Sequence, residues 1–454
     1  MHWRNRILER VIMSRIPRSK PVTIKVDAWF ISIFSMLFWS YHYTALEILH
    51  ISSTMILGIE LLAVIIPMIL TARLEVAYIT PLLFWQIFWC ATMFNNYYVQ
   101  SSSYSRPVAF LLVLLLAYGL QFSDQWYRAI IKCVLFFSWE HFILGWLFLL
   151  CSPLYRSLIV PLFARDLRPR LLEYHNSRII VGLCEHYSTS GVYFALACIA
   201  CFSIWLYDRM NVKKIVALLL MVISLLMTQK RGPLAFMFLS LFLVFLTVNK
   251  INAKLVVRGI IALFALVICF LILAQQFPEL AIVFERFHMD SGSDLLNGRG
   301  ELYELALNMF RENPVMGSGW GQYRMYTRLH MGKGLNSTVE FSAHNIYLQV
   351  FAEIGIVGGI AFVILLMGGV LITRFVLKKH VAHHAEEKEE GIALCFSLGM
   401  QLFFILYGIS GNPIYDPQCF IPYFMSLAIP FSVSFRYRHR IEKKRWRGEK
   451  PKKL

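Results

Sequence analysis

The feature that most constrains this chain is a succession of apolar runs, each close to the length a helix needs to cross a bilayer. An α-helix rises about 1.5 Å per residue, so roughly 20 apolar residues span the hydrocarbon core. Such runs fall at 27–46, 52–71, 77–95, 107–122, 130–151, 190–207, 215–229, 233–248, 259–276, 346–373, 391–409 and 419–435. Of the 454 residues, 58% are hydrophobic and only 16% charged, against roughly 45–50% and about 25% in soluble domains. Water cannot solvate that surface. The sequence therefore predicts an all-α integral membrane protein of about twelve transmembrane helices.

The net charge of +17 is gathered at the two ends. Residues 1–25 carry seven Lys/Arg against one acid, Glu9, and residues 435–454 carry ten against Glu442 and Glu449, together +14. Such flanks mark the cytoplasmic side and touch anionic head groups. With no nucleic-acid-binding fold or aromatic platform beside them, nucleic acid is not an expected partner. With the N-terminus inside, the even-numbered connections hold Arg73, Arg128, Lys213 and Lys214, Lys250, Lys254 and Arg258, and Lys378 and Lys379. Twelve spans then return the basic C-terminus to the cytoplasm.

The expected organisation is a basic cytoplasmic tail over 1–26 and spans one to nine over 27–276, with an outer loop near 152–189. A large extracytoplasmic loop over 277–345, spans ten to twelve over 346–435 and a basic cytoplasmic tail over 436–454 follow. No small-residue cleavage site follows the first run, so no cleavable signal peptide is expected. Cys90, Cys133, Cys198, Cys201, Cys269 and Cys395 lie inside apolar runs, where a thiol acts as a small hydrophobe. Neither a 20–50-residue repeat nor a likeness between the halves is visible, which speaks against a solenoid or an inverted-repeat transporter. The segment His380–Glu390 reads as a solvated cytoplasmic loop, and its histidines are weak evidence for a metal.

The second outer loop carries most of the chemical information. In Glu301–Phe310, Leu302, Leu305, Ala306, Met309 and Phe310 recur at helical spacing, and Asn313-Pro314 stops the helix. That predicts an amphipathic helix along the outer membrane surface, with Arg299 at its start. Gly317-Ser-Gly-Trp-Gly321 reads as a tight turn, because no strand precedes it as a phosphate-cradling loop requires. His344 and Asn345 stand at the outer mouth of the tenth span. Gly355, Gly358 and Gly359 lie deeper, where they would let a neighbouring helix approach. On spacing alone His344 is either an interfacial histidine or a functional one.

His344-Asn345, nine residues, then Gly355-x-x-Gly358 resembles the signature of the bacterial O-antigen ligase and polysaccharide polymerase family. Arg299, Asn313-Pro314, Gly317-x-Gly319 and His344-Asn345 follow that family's order over about 285–370. Gln229-Lys230-Arg231-Gly232 is similar to its other arginine position, and Glu185–Gly191 more loosely to a second polar segment. The resemblance implies a GT-C-like membrane glycosyltransferase acting on the outer face of the bacterial cytoplasmic membrane, metal-independent and without a cofactor. Its donor would be a glycan on undecaprenyl pyrophosphate and its acceptor the hydroxyl of another glycan, with inversion at the anomeric carbon. Membrane lipids and a chain-length regulator are further implied partners.

Within that resemblance His344 is the candidate base, since histidine titrates near neutrality. Arg231 and Arg299 are candidate clamps on the leaving pyrophosphate. Lys230, Arg286, Arg178, Asn345, Glu353 and His186 are candidates for binding substrate. Other readings stand beside these. Arg231 could snorkel to head groups, and Glu353 could line a cavity or pair with a neighbouring helix. Glu140 and His141 lie too deep for sugar chemistry and are expected to be structural. A polysaccharide polymerase is favoured over a ligase to a lipid core or protein, and a lipid-linked sugar flippase is the third possibility.

Overall fold

The computed structural model describes residues 113, 117, 120, 126–184, 186–208, 211–249, 299–331 and 341–446, with side chains to 438. All regular structure among these residues is helical, with no strand. The helices are α1 (Trp126–Leu150), α2 (Ser152–Leu158), α3 (Arg168–Asn176), α4 (Tyr187–Tyr207), α5 (Val212–Met227) and α6 (Arg231–Val248). They continue as α7 (Gly300–Glu312), α8 (Gln322–His330), α9 (Ile346–His383), α10 (Lys388–Tyr407) and α11 (Pro417–Trp446). Six of them, α1, α4, α6, α9, α10 and α11, are long and apolar enough to cross a membrane. The expected spans at 27–46, 52–71, 77–95 and 259–276 lie outside the described residues, and of 107–122 only helical, buried Val113, Ala117 and Leu120 are described.

The helix starts follow from local chemistry. Asn211 Oδ1 caps α5 by accepting from the Lys214 N–H, and Asn345 Oδ1 caps α9 by accepting from Tyr347 and Leu348 N–H. Such caps satisfy donors that the first helical turn leaves orphaned. α11 opens at Pro417, whose fixed φ suits a first helical position. Pro430, inside α11, has no N–H for the carbonyl of Ser426. That carbonyl instead accepts from Ser397 Oγ of α10 at 2.7 Å. Gln401 of α10 adds a bond to Thr373 of α9 at 2.9 Å, so a polar seam ties three membrane helices together.

The core is built around α4, α10 and α11, whose apolar residues are mostly buried. α9 keeps an outward stripe of Ile356, Val357, Ile360, Ile364, Met367 and Leu371, as a lipid-facing helix does. α4, α6, α9 and α11 begin at the end of the bundle where α5 and α10 finish. Arg128, Lys213 and Lys214, and Lys378 and Lys379 lie at the opposite end.

Three expectations are corrected here. The helix of the tenth span does not stop at 373: α9 runs on to His383 and α10 starts at Lys388, so His380 is a buried helical residue and not part of a solvated loop. α9 is also broken, because Gly355 has φ 68° and ψ −172° inside it. Ile346–Ile354 is therefore a separate short helix, and the long membrane helix begins beyond Gly355. Finally, the glycines do not serve another membrane span. Gly358 and Gly359 make room for Ile354 and Phe351 of the short helix before the break, and Gly355 for Val315 of the preceding loop.

Candidate active site

The turn after α7 explains the glycine-rich segment. Asn313 ends α7, and the chain then lies against the break in α9. Ile356 N–H donates to the Pro314 carbonyl at 2.8 Å, and Gly319 N–H donates to the Glu353 carbonyl at 2.8 Å. Gly317 and Gly355 face one another with φ of 73° and 68°, so close that a Cβ on either would collide with the other segment's backbone. The apolar face of α7 is consequently covered by protein. Ala306 and Met309 pack with Tyr323 and Tyr326 of α8 and Ala352 of α9, and Tyr323 Oη donates to the Leu302 carbonyl at 2.6 Å. The amphipathic helix is therefore present, but its inner face meets α8 and α9 where the sequence suggested lipid.

Docking of that loop on α9 closes one side of a cavity of about 290 Å³. His186, Ser188 and Thr189 contribute from the start of α4, and Lys230 and Gly232 from the start of α6. Arg299 sits at the start of α7, Arg324 in the first turn of α8, and Ser342 and His344 just before α9. The opposite wall is the connection from α10 to α11, with Ser410, Asn412, Tyr415 and Asp416, and the first turn of α11, with Gln418. The membrane helices α4, α6, α9 and α11 all start here, and helix starts carry partial positive charge and unpaired N–H groups. Three cationic side chains add to that field.

The cations and His186 are held. Arg299 donates to the Ser410 carbonyl at 3.2 Å and Arg324 to Ser342 Oγ at 3.2 Å. The Lys230 ammonium lies 4.3 Å above the ring of Tyr187. His186 Nδ1 accepts from the Ser188 N–H at 3.1 Å, which assigns its proton to Nε2. His344 has φ 52°, a left-handed conformation that costs a non-glycine residue on the order of 1–3 kcal/mol. Its ring opens to the cavity, yet protein crowds it. Burial, then Arg299, Lys230 and Arg324, lower its pKa to about 4. Burial, then Lys230, Arg170 and His344, lower His186 to about 4 as well. Both rings are thus neutral at pH 7.

Of the sequence candidates, the cavity gathers His344, Arg299, Lys230 and His186. Arg231 begins α6 beside Lys230 but does not line the cavity. Asn345 is engaged in capping α9. Glu353 is fully buried behind the wall, accepting from Tyr415 Oη at 2.5 Å. Arg178 is exposed, with φ 51°, in the connection between α3 and α4. Arg286 lies outside the described residues. His141 is buried against Tyr193, at 4.2 Å between ring centroids, away from the cavity.

Sequence reasoning missed Arg324 and the Asn412–Asp416 wall. A signal existed for the wall: alternation of the spans puts 410–418 on the same face as His344. Away from the cavity, His384, Glu386 and Glu387 bring ligand atoms within 4.8 Å of one another and could hold a cation, at the far end of α9.

Residues 216–363 match the family model described as O-antigen ligase, a stretch that holds Lys230, Arg299, Arg324 and His344. The similarity to the O-antigen ligase family covers that stretch, about a third of the chain. No curated protein matches it. The similarity supports a ligase or polymerase type of function, and members of that family are membrane glycosyltransferase-like enzymes. His186 and the wall at 410–418 lie outside the O-antigen ligase match yet face the same cavity.

Proposed function

We propose that this chain is a polysaccharide polymerase, transferring a glycan from undecaprenyl pyrophosphate to a hydroxyl of another lipid-linked repeat unit. The observation that carries the proposal is the meeting of neutral His344 with Arg299, Arg324 and Lys230 in one cavity. A sugar hydroxyl is a poor nucleophile until a base takes its proton. In the proposed step the acceptor oxygen bonds to the anomeric carbon as its proton passes to the His344 ring. The bond from that carbon to the phosphate oxygen breaks, and the electron pair leaves with the diphosphate. Attack opposite the leaving group inverts the anomeric centre.

Charge supports a diphosphate donor. A diphosphate diester carries two negative charges, and three cations and Asp416 line the cavity, a formal surplus of two positive charges to meet them. Guanidinium groups hold phosphate oxygens bidentately, and they supply neutralisation that a divalent ion provides in other enzymes. Burial is the larger cause of the low His344 pKa and the cations are the lesser one; a bound diphosphate screens the cations, so donor binding raises the basicity of the ring. The base is thereby strengthened when there is a donor to use it on.

The proposed orientation puts the cavity on the outer face of the cytoplasmic membrane, with both termini inside. The even-connection lysines and arginines at the opposite end of the bundle support it.

Reconstitution with synthetic undecaprenyl-pyrophosphate repeat unit tests the proposal. A ladder of products, formed equally in the presence of EDTA, is the expected result. Transfer only to an added lipid core or protein would make the chain a ligase, using the same base and cations. Absence of transfer from the native donor by folded protein would refute both.

A further inference from the structure

Two buried side chains behind the cavity hold the groups that line it. Gln349 and Glu353 lie one turn apart on the short first piece of α9, 1% and 0% exposed. Neither lines the cavity. Gln349 Oε1 accepts from the Ala343 N–H at 3.1 Å and from Asn412 Nδ2 at 3.0 Å. Its Nε2 donates to Glu353 Oε1 at 3.1 Å. Glu353 in turn accepts from Tyr415 Oη at 2.5 Å and from the Tyr323 N–H at 3.4 Å. This pair therefore reaches the peptide preceding His344, the residue preceding Arg324, and both Asn412 and Tyr415 of the opposite wall.

The left-handed backbone of His344 needs such a hold, because a strained conformation persists only where its surroundings over-determine it. On one side is the bond from Ala343 to Gln349. On the other, Asn345 caps α9 and the Ile346 N–H donates to the Gly408 carbonyl at 2.9 Å. A fully buried carboxylate that never meets the cavity cannot exchange a proton with substrate, so its value lies in what it fixes in place.

We infer that Gln349 and Glu353 are positioning residues, which set His344 and Arg324 in the mutual placement that glycan transfer requires. The inference rests on the function proposed above. Catalytic groups act within about 0.5 Å of their productive geometry, and a displacement of about 1 Å costs roughly 10²-fold in rate.

Gln349→Leu removes all three bonds of that side chain while keeping its bulk. The expected result is a roughly 100-fold fall in kcat, with KM for the donor within about threefold of wild type. A second readout needs no turnover. Modification of His344 by diethyl pyrocarbonate, followed on its peptide by mass spectrometry across pH, should have its midpoint near about 4 in the wild type. In Gln349→Leu the midpoint should move toward the ordinary 6.5 as the ring leaves its crowded position and the cations beside it.

A wild-type midpoint in the variant overturns the inference whatever the turnover, and so does a rise in KM with unchanged kcat. A shifted midpoint in a protein whose wild type transfers no glycan overturns the proposed function and upholds the positioning. If Gln349→Leu does not accumulate folded, Glu353→Gln carries the same measurements with a smaller expected fall, about tenfold.

Discussion

The two ends of the helix bundle treat charge in opposite ways. At the far end, ionic groups are matched to one another: Arg128 of α1 to Glu389 of α10, and Arg436 of α11 to Glu390 of α10 at 2.6 Å. Tyr127 closes a triangle there, donating to Glu390 and accepting from Arg436. At the cavity end, Arg299 and Arg324 are held by a carbonyl and a hydroxyl, and buried Glu353 by a phenol, an amide and a backbone N–H. One end spends its ions on holding helices together. The other orients its cations with neutral groups and leaves their charge directed at a space large enough for a ligand. Buried ion pairs stitch structure at the cost of desolvation, whereas cations held by neutral partners keep their field for a substrate.

The widest gap between the ends should appear in His344→Ala. Loss of a general base costs about 10²–10⁴-fold, so turnover is expected to fall at least about 10²-fold, with membrane insertion and melting temperature unchanged. Near-normal product ladders would remove the base from the mechanism. Next comes Arg299→Lys, which keeps the charge but loses the planar fork, and should lower kcat by about 10²-fold. Full activity there would refute a bidentate clamp.

Glu390→Gln probes the other end and should show the reverse pattern. Removing one partner of a buried pair destabilises by about 3 kcal/mol, while kcat per folded molecule stays within about twofold. A selective loss of kcat would show that the ends are not separate in role.

The smallest effect is in pH. His186 and His344 bind protons at 6.5 when unfolded but only near about 4 when folded. Their contribution to stability is complete above pH 6.5 and is lost as pH falls toward 4. Thermal melting at pH 7, 6 and 5 should show a decline that is shallower in His186→Ala. In turnover, the acidic limb of kcat should lie at higher pH than that of kcat/KM, since the bound diphosphate raises the ring's pKa. Coincident limbs would argue against a donor diphosphate beside His344.

Much of the bundle was legible because lipid solvation leaves a strong trace: the apolar runs from 130 to 248 and from 346 to 435 correspond to α1, α4, α5, α6, α9, α10 and α11. The end of α9 was not legible, because the polar residues from Lys378 to His383 give no apolar signal although tertiary packing keeps them helical and buries His380. His344, Arg299 and Lys230 could be picked out because they stand beside glycines, prolines and span ends. Arg324 could not, since Tyr323-Arg-Met-Tyr-Thr-Arg reads as any polar helix and only the docking of α8 on α9 turns that arginine to the cavity. Glu353 was visible as a charge in an apolar run, but its orientation away from the ligand space depends on a break at Gly355 that periodicity does not reveal.

The break at Gly355 has a bearing on length as well as on sequence. Ile346–Ile354 is fixed at one end by the Asn345 cap and at the other by the seam between Gly355 and Gly317, so it behaves as a ruler with two clamped ends. Each residue turns a helix by about 100°. Adding or removing one residue anywhere within the segment would swing Gln349 or Glu353 out of phase with the cavity wall, even if every side chain were kept. The number nine in the interval between His344-Asn345 and Gly355 is thus itself a functional quantity, and single-residue insertions there should be as damaging as changes to the residues they displace.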